Sequence, residues 1–294
     1  MSFFANFNPF DWPSFADTDI ELRPPIRPVA ASSRVNSLPN DCFFEIFSYL
    51  RQEEAGRQSR VCRRWRVALS QDALWQRFDL KQLYPGFNDL RGIWERIDLG
   101  RYGLSVADAP SVSNRTLIPV VSRMSRKVEG GAGVTVFIKP KGASLEKMKR
   151  LAEDNDVLIR YFWPQILRDI GRDENLAPEV VVMTNSVFLG TRNLSAEEQQ
   201  DIVVKMGYKM PDAVSALALL VLTFMNSPAE ARIRLYPDAP HPAPWTYTRC
   251  QEQVAGFHLV VGSFAPGGLS VNDSYYDFDE IGVGGLRKFS AIDS

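Results

Sequence analysis

The stretch that most constrains this chain is AVSALALLVLTFM, from Ala213 to Met225. Its thirteen residues carry no charge. A bilayer span needs about eighteen or more such residues, so this run is too short to cross a membrane. A helix apolar on all sides belongs inside a core. The spacing therefore predicts a buried helix. With 294 residues, 45% of them hydrophobic, the chain can build the core that such a helix needs, in one or two domains. The N-terminal MSFFANFNPFDWPSF lacks the basic and apolar regions of a signal peptide.

Charge and cysteine usage exclude several classes. The formal net charge is −1, without the basic excess that phosphate binding favours. Cys42, Cys62 and Cys250 are odd in number and form no CxxC pair. Neither a disulfide framework nor a zinc site is expected, and a reducing cytoplasmic setting is. His241 and His258 leave little for metal or acid–base chemistry, so no cofactor or metal is expected.

Residues 1–36 read as a tail, because ELRPPIRPVAASSR favours extended chain. Its aromatic tip either docks on its own domain or serves as a recognition motif. Asn8-Pro9-Phe10 resembles the tripeptide bound by endocytic EH domains. Residues 37–80 read as a compact helical unit. Pro39 suits a helix start, and Phe43, Phe44, Ile46, Phe47 and Leu50 form a helical stripe. In RVCRRWRVALS, Val61, Trp65, Ala68 and Leu69 recur at helical spacing, with Arg60, Arg63, Arg64 and Arg66 around them.

LPNDCFFEIFSYL, VCRRWRVALS and DALWQRFDL, taken together, resemble the F-box in order and spacing. That resemblance implies a three-helix unit that docks to the Skp adaptor and, through it, to a cullin. Leu38 and Pro39 would insert at the start of the interface. Phe43, Ile46, Phe47 and Leu50 would divide between the small core and the adaptor groove, and Val61, Trp65, Leu74 and Trp75 match the later apolar positions. Ala55-Gly56 departs from the leucines usual in the second helix. Glycine there weakens a helix by about 1 kcal/mol relative to alanine. Trp65 is then expected in an interface, with Arg63 and Arg64 at its rim or in solvent.

Residues 81–294 read as an α+β domain with an antiparallel late sheet. GVTVFIK, VVVMTN, ARIRLY, WTYTRCQE and FHLVVGSF are expected strands. SLEKMKRLAEDND, capped by Ser144, is an expected helix. DVLIRYFWPQILRDIG is another, disturbed by Pro164. SAEEQQDIVVKMG opens with a capping box from Ser195 to Glu198, and PDAVSALALLVLTFM opens at a permitted proline. VEGGAGVTVFIKPKG, VVVMTNSVFLGTRN, WTYTRCQE, HLVVGSFAPGGL and GVGGLRKF resemble F-box proteins of environmental chlamydiae that live in amoebae. That resemblance implies a bacterial effector working in a host cytosol.

No catalytic set stands out. EGGAGV and GVGGLRK lack the phosphate-loop and dinucleotide spacings and read as turns. Asp273, Asp277, Asp279 and Glu280 lack calcium-loop spacing and read as an acidic loop, with Tyr275 and Tyr276 as possible contacts. Cys250 and His258 could pair only if the fold brings them together. In WTYTRCQE, alternation puts Trp245, Tyr247, Arg249 and Gln251 on one face, either packed under a helix or open to a substrate. The reading is a non-enzymatic F-box subunit that presents an unidentified protein for ubiquitination. The alternatives are a cullin-independent scaffold, a nucleic-acid binder through the Arg-Trp helix, and, last, an enzyme in the C-terminal domain.

Overall fold

A computed structural model describes residues 80–84, 86–236, 246–265, 267–274 and 278–290. All lie in Ser70–Ser294, one of the two units into which the chain divides. The elements in chain order are α1 (Leu80–Leu83), β1 (Asn88–Asp89), α2 (Asn114–Ser125), β2 (Val134–Lys139), α3 (Leu145–Asp154), β3 (Ile159–Phe162), α4 (Pro164–Asp169), β4 (Glu179–Thr184), α5 (Ala196–Lys205) and α6 (Ala213–Asn226). Strands β5 (Tyr247–Val254), β6 (Phe257–Ala265), β7 (Gly268–Asp273), β8 (Ile281–Gly282) and β9 (Leu286–Phe289) follow. Short 3-10 segments at Arg91–Arg96, Leu99–Tyr102, Glu129–Gly131 and Ala229–Ala231 connect them.

The strands form two sheets, ordered β1-β2-β4-β9 and β3-β7-β6-β5-β8. In the first, β2 and β9 both run antiparallel to β4, while β1 joins β2 in parallel. Its alternation serves two cores. Phe137, Val181, Met183 and Leu286 face the larger apolar cluster with α3 and α6. Val134, Val136, Val180, Val182 and Phe289 face the smaller one with Leu117, Ile118, Val121 and Met124 of α2. A sheet buried on both faces explains why VTVFIK and VVVMT read as continuous apolar runs.

Helix α6 contacts β2 of the first sheet and β5 and β6 of the second. Every residue from Ser215 to Phe224 is buried, as the apolar run demands. Asp212 caps the helix by accepting from the Ser215 backbone N–H (2.8 Å). Pro211 therefore precedes the cap instead of opening the helix. Ser144 caps α3, and Ser195 and Glu198 close the expected capping box on α5.

Three expectations need correction. IRYF, Ile159–Phe162, forms β3, and Pro164 sits at the first turn of α4, where a missing N–H costs nothing. A β-branched and aromatic segment thus pairs as a strand ahead of the helix. ARIRLY forms no strand. Arg232 and Arg234 instead stack over the Phe224 ring at 5.0 and 5.7 Å, so side-chain contacts and not a ladder set the alternation. The late sheet is mixed: β5, β6 and β7 are antiparallel, but β3 joins β7 and β8 joins β5 in parallel. Helix α2 escapes a sequence reading because Pro119 lies inside it and argues for a break.

Candidate functional site

Leu38, Pro39, Phe43, Ile46, Phe47, Leu50, Val61, Trp65, Leu74 and Trp75 lie outside the described residues, as do Asn8-Pro9-Phe10, Arg63, Arg64, His241, Trp245, Tyr275, Tyr276 and Asp277. Within the described domain, the densest polar constellation sits at the N-terminal end of α6. Register on the first sheet places Lys139 opposite Glu179 and Lys288 opposite Val181. The Lys139 ammonium lies 2.7 Å from Glu179 and 3.6 Å from Asp212. The Lys288 ammonium lies 2.9 Å from Asp212 and 3.3 Å from Glu179. Glu252 of β5 completes the group by accepting from the Ala213 N–H at 2.9 Å. A cleft of about 210 Å³, also lined by Asp173, Glu174 and Asn175, opens beside it.

The electrostatics follow from burial and pairing. Burial alone would raise the Asp212 carboxyl, but Lys139 and Lys288 more than offset it and hold it below its ordinary value. Burial works against the Lys288 ammonium, yet Asp212 and Glu179 push its pKa above the usual lysine range. Glu252 is pushed up to about 7 by burial, with the Asp212 charge adding to it. Two cations thus face two carboxylates, and Lys288 is held away from the neutral amine that nucleophilic chemistry needs. Glu252 can hold or release a proton near neutrality, but among the described residues no Ser, Thr or Cys lines the cleft. The arrangement fastens β2, β4, β5 and β9 to the start of α6.

Cys250 and His258 are neighbours on adjacent strands but do not form a nucleophile pair. His258 Nδ1 lies 2.9 Å from the Cys250 carbonyl, an acceptor only, so Nδ1 carries the proton. Nε2 is then free to accept from Gln253 Nε2 at 2.7 Å. The Cys250 thiol is buried, and burial pushes it well above its ordinary value, away from the reactive thiolate. Arg249 is only 1% exposed, and its Nη1 donates to the Leu194 carbonyl at 3.2 Å, so it belongs to no open recognition face.

Neither glycine-rich segment has a phosphate-loop context: EGGAGV is a 3-10 segment leading into β2, and GVGGLRK connects β8 to β9. In GVGGL the backbone N–H groups are spent inside the protein. Val283 donates to Thr191 Oγ1, Gly284 to Thr248 Oγ1 and Gly285 to Thr184 Oγ1, at 2.9–3.1 Å. A side chain at Gly285 would meet Phe188 Cζ at 2.3 Å. In EGGAGV, Gly133 has φ +79° and passes so close to Gly86 that a Cβ would lie 2.3 Å from its carbonyl oxygen. Asn185 locks that crossing by donating to the Gly86 and Ala132 carbonyls, both at 3.0 Å. Among the described residues, no group of His, Cys, Asp and Glu could hold a metal ion. No helix among them is long and apolar enough to cross a membrane.

Sequence reasoning passed over Lys139, Glu179, Asp212, Glu252 and Lys288. A lysine ending the apolar VTVFIK and a glutamate opening EVVVMT were the available signals. Pairing them requires the strand register. No curated protein and no solved structure matches the chain. Residues 35–81, the segment holding the Leu-Pro, Val-Cys-x-x-Trp and Leu-Trp signatures, match the family model described as F-box-like.

Proposed function

We propose that the chain is a non-catalytic substrate-recognition subunit of a cullin ubiquitin ligase. Residues 37–80 dock the Skp adaptor through Leu38, Pro39, Phe43, Ile46, Phe47, Leu50, Val61, Trp65, Leu74 and Trp75. Residues 81–294 select the protein to be ubiquitinated. The F-box-like match over residues 35–81 carries this reading. Buried, mutually neutralised charges at the α6 cleft and the inert Cys250 support a binding role for the second domain over a catalytic one. The resemblance of the C-terminal segments to chlamydial F-box proteins extends the reading to an effector acting in a host cytosol. Asn8-Pro9-Phe10 would add an EH-domain partner.

The test is co-elution of the purified chain with a eukaryotic Skp adaptor and a cullin. The expected result is a ternary complex, lost in a folded Leu38→Ala/Pro39→Ala variant. An adaptor complex that excludes the cullin would favour the scaffold reading. No adaptor complex with a folded parent would remove the basis of the proposal and send the Arg-Trp segment to a salt-dependent nucleic-acid binding assay.

A further inference from the structure

The C-terminal end of α6 carries a second cleft, of about 210 Å³, lined by Ile93, Arg96, Ile97, Asn155, Met225 and Arg232. Among the described residues, its lining holds two guanidinium groups and no carboxylate. Arg96 donates through Nη2 to Asn226 Oδ1, an amide and not a charge. Arg232 uses Nη1 on the Phe224 and Ser227 carbonyls, at 3.0 and 3.1 Å. Arg232 also stacks over the Phe224 ring, and Arg234 lies over the same ring. Such stacking holds a planar guanidinium in place before any ligand arrives. Among the described residues, no carboxylate pairs with Arg96, Arg232 or Arg234. Asp154, next to Asn155, is engaged by Arg101 at 2.9 Å and by the Tyr102 hydroxyl at 3.0 Å.

The bland role, neutralising the carbonyl end of α6, explains Nη1 of Arg232 and nothing more. It leaves the other donors of Arg232 and Arg96 unexplained at a cleft whose remaining lining is Ile93, Ile97, Met225 and the amide of Asn155. Guanidinium forks recognise carboxylates with two parallel hydrogen bonds. The half-buried Ile97 and Met225 beside them offer contact to an aliphatic neighbour of that carboxylate. We infer that this cleft binds an acidic peptide segment, a carboxylate flanked by aliphatic side chains, and so forms part of the surface that selects the protein target. This rests on the reading of residues 81–294 as the target-selecting domain.

The test is fluorescence anisotropy of the full chain with labelled peptides of alternating leucine and glutamate, capped as C-terminal amides. Peptides with glutamine in place of glutamate are run both amidated and with a free C-terminus, which separates a side-chain carboxylate from a terminal one. The amidated glutamine peptide is expected to bind at least about tenfold more weakly than a carboxylate-bearing one. Arg96→Gln, a surface change, is expected to weaken carboxylate binding about tenfold with an unchanged thermal midpoint. Arg232→Lys keeps the charge without the fork and is expected to weaken it as well. The inference is overturned if the folded parent binds neither carboxylate source up to about 1 mM. Equal binding by the amidated glutamine peptide, or by folded Arg96→Gln, overturns it too. Adaptor binding is titrated separately in the same variants, so failure here is distinguishable from failure of the F-box reading.

Discussion

The two ends of helix α6 handle charge in opposite ways. At its N-terminal end, Lys139 and Lys288 meet Glu179 and Asp212 within 2.7–3.6 Å, and the group is closed on itself. At its C-terminal end, Arg96, Arg232 and Arg234 meet an amide, two carbonyls and a ring. Charges that satisfy one another inside a fold serve the fold. Charges held in place with no counter-ion among the described residues suit a partner that brings one. The same helix is thus anchored at one end and equipped for recognition at the other.

The comparison breaks most visibly at Asp212. Asp212→Ala removes one carboxylate from two lysines and deletes the α6 cap. It is expected to cost about 3–5 kcal/mol in urea unfolding, the cost of leaving a buried charge without its partner. A loss within about 0.5 kcal/mol, the range of an ordinary surface substitution, would mean the cluster fastens nothing.

Glu252 sharpens the contrast through pH. Its carboxyl titrates at about 7 in the fold against an ordinary 4.5, so between these values the unfolded chain has lost a proton that the folded chain keeps. Stability should therefore fall as pH rises from about 4.5 to 7, by roughly 3 kcal/mol for this group, and level off above. Glu252→Gln should flatten that limb of the stability profile. A control that adds volume in place of charge is Gly285→Ala. Its new methyl meets the buried Phe188 ring and should cost about 1–3 kcal/mol by thermal unfolding. At the other end of α6, Arg96→Ala should change stability by no more than about 0.5 kcal/mol, because no structural charge pair is lost.

Local signals in the sequence transmitted well and non-local ones did not. The apolar run at Ala213–Met225 could only be a buried helix, and the caps at Ser144 and Ser195 act within one turn, so each was legible. The arginines of ARIRLY looked like strand positions because period-two alternation does not say whether a ladder or a ring face sets it. Pro164 was read as an interruption, although proline in a first turn equally marks a beginning. The charged group at Asp212 was invisible because its members come from four strands and a helix cap, far apart in the chain. The Cys250–His258 question needed geometry too, and the histidine was answered by a backbone carbonyl. The F-box signature was legible because its residues lie close together in sequence, in a fixed order.

The most direct measurement is calorimetric titration of the full chain with a eukaryotic Skp adaptor, with Trp65→Ala and Arg96→Gln variants alongside, each checked for folding. Tight binding by the parent and by Arg96→Gln, lost in Trp65→Ala, is the expected result and would assign adaptor docking to residues 37–80. No heat of binding from a well-folded parent would contradict the account at its centre.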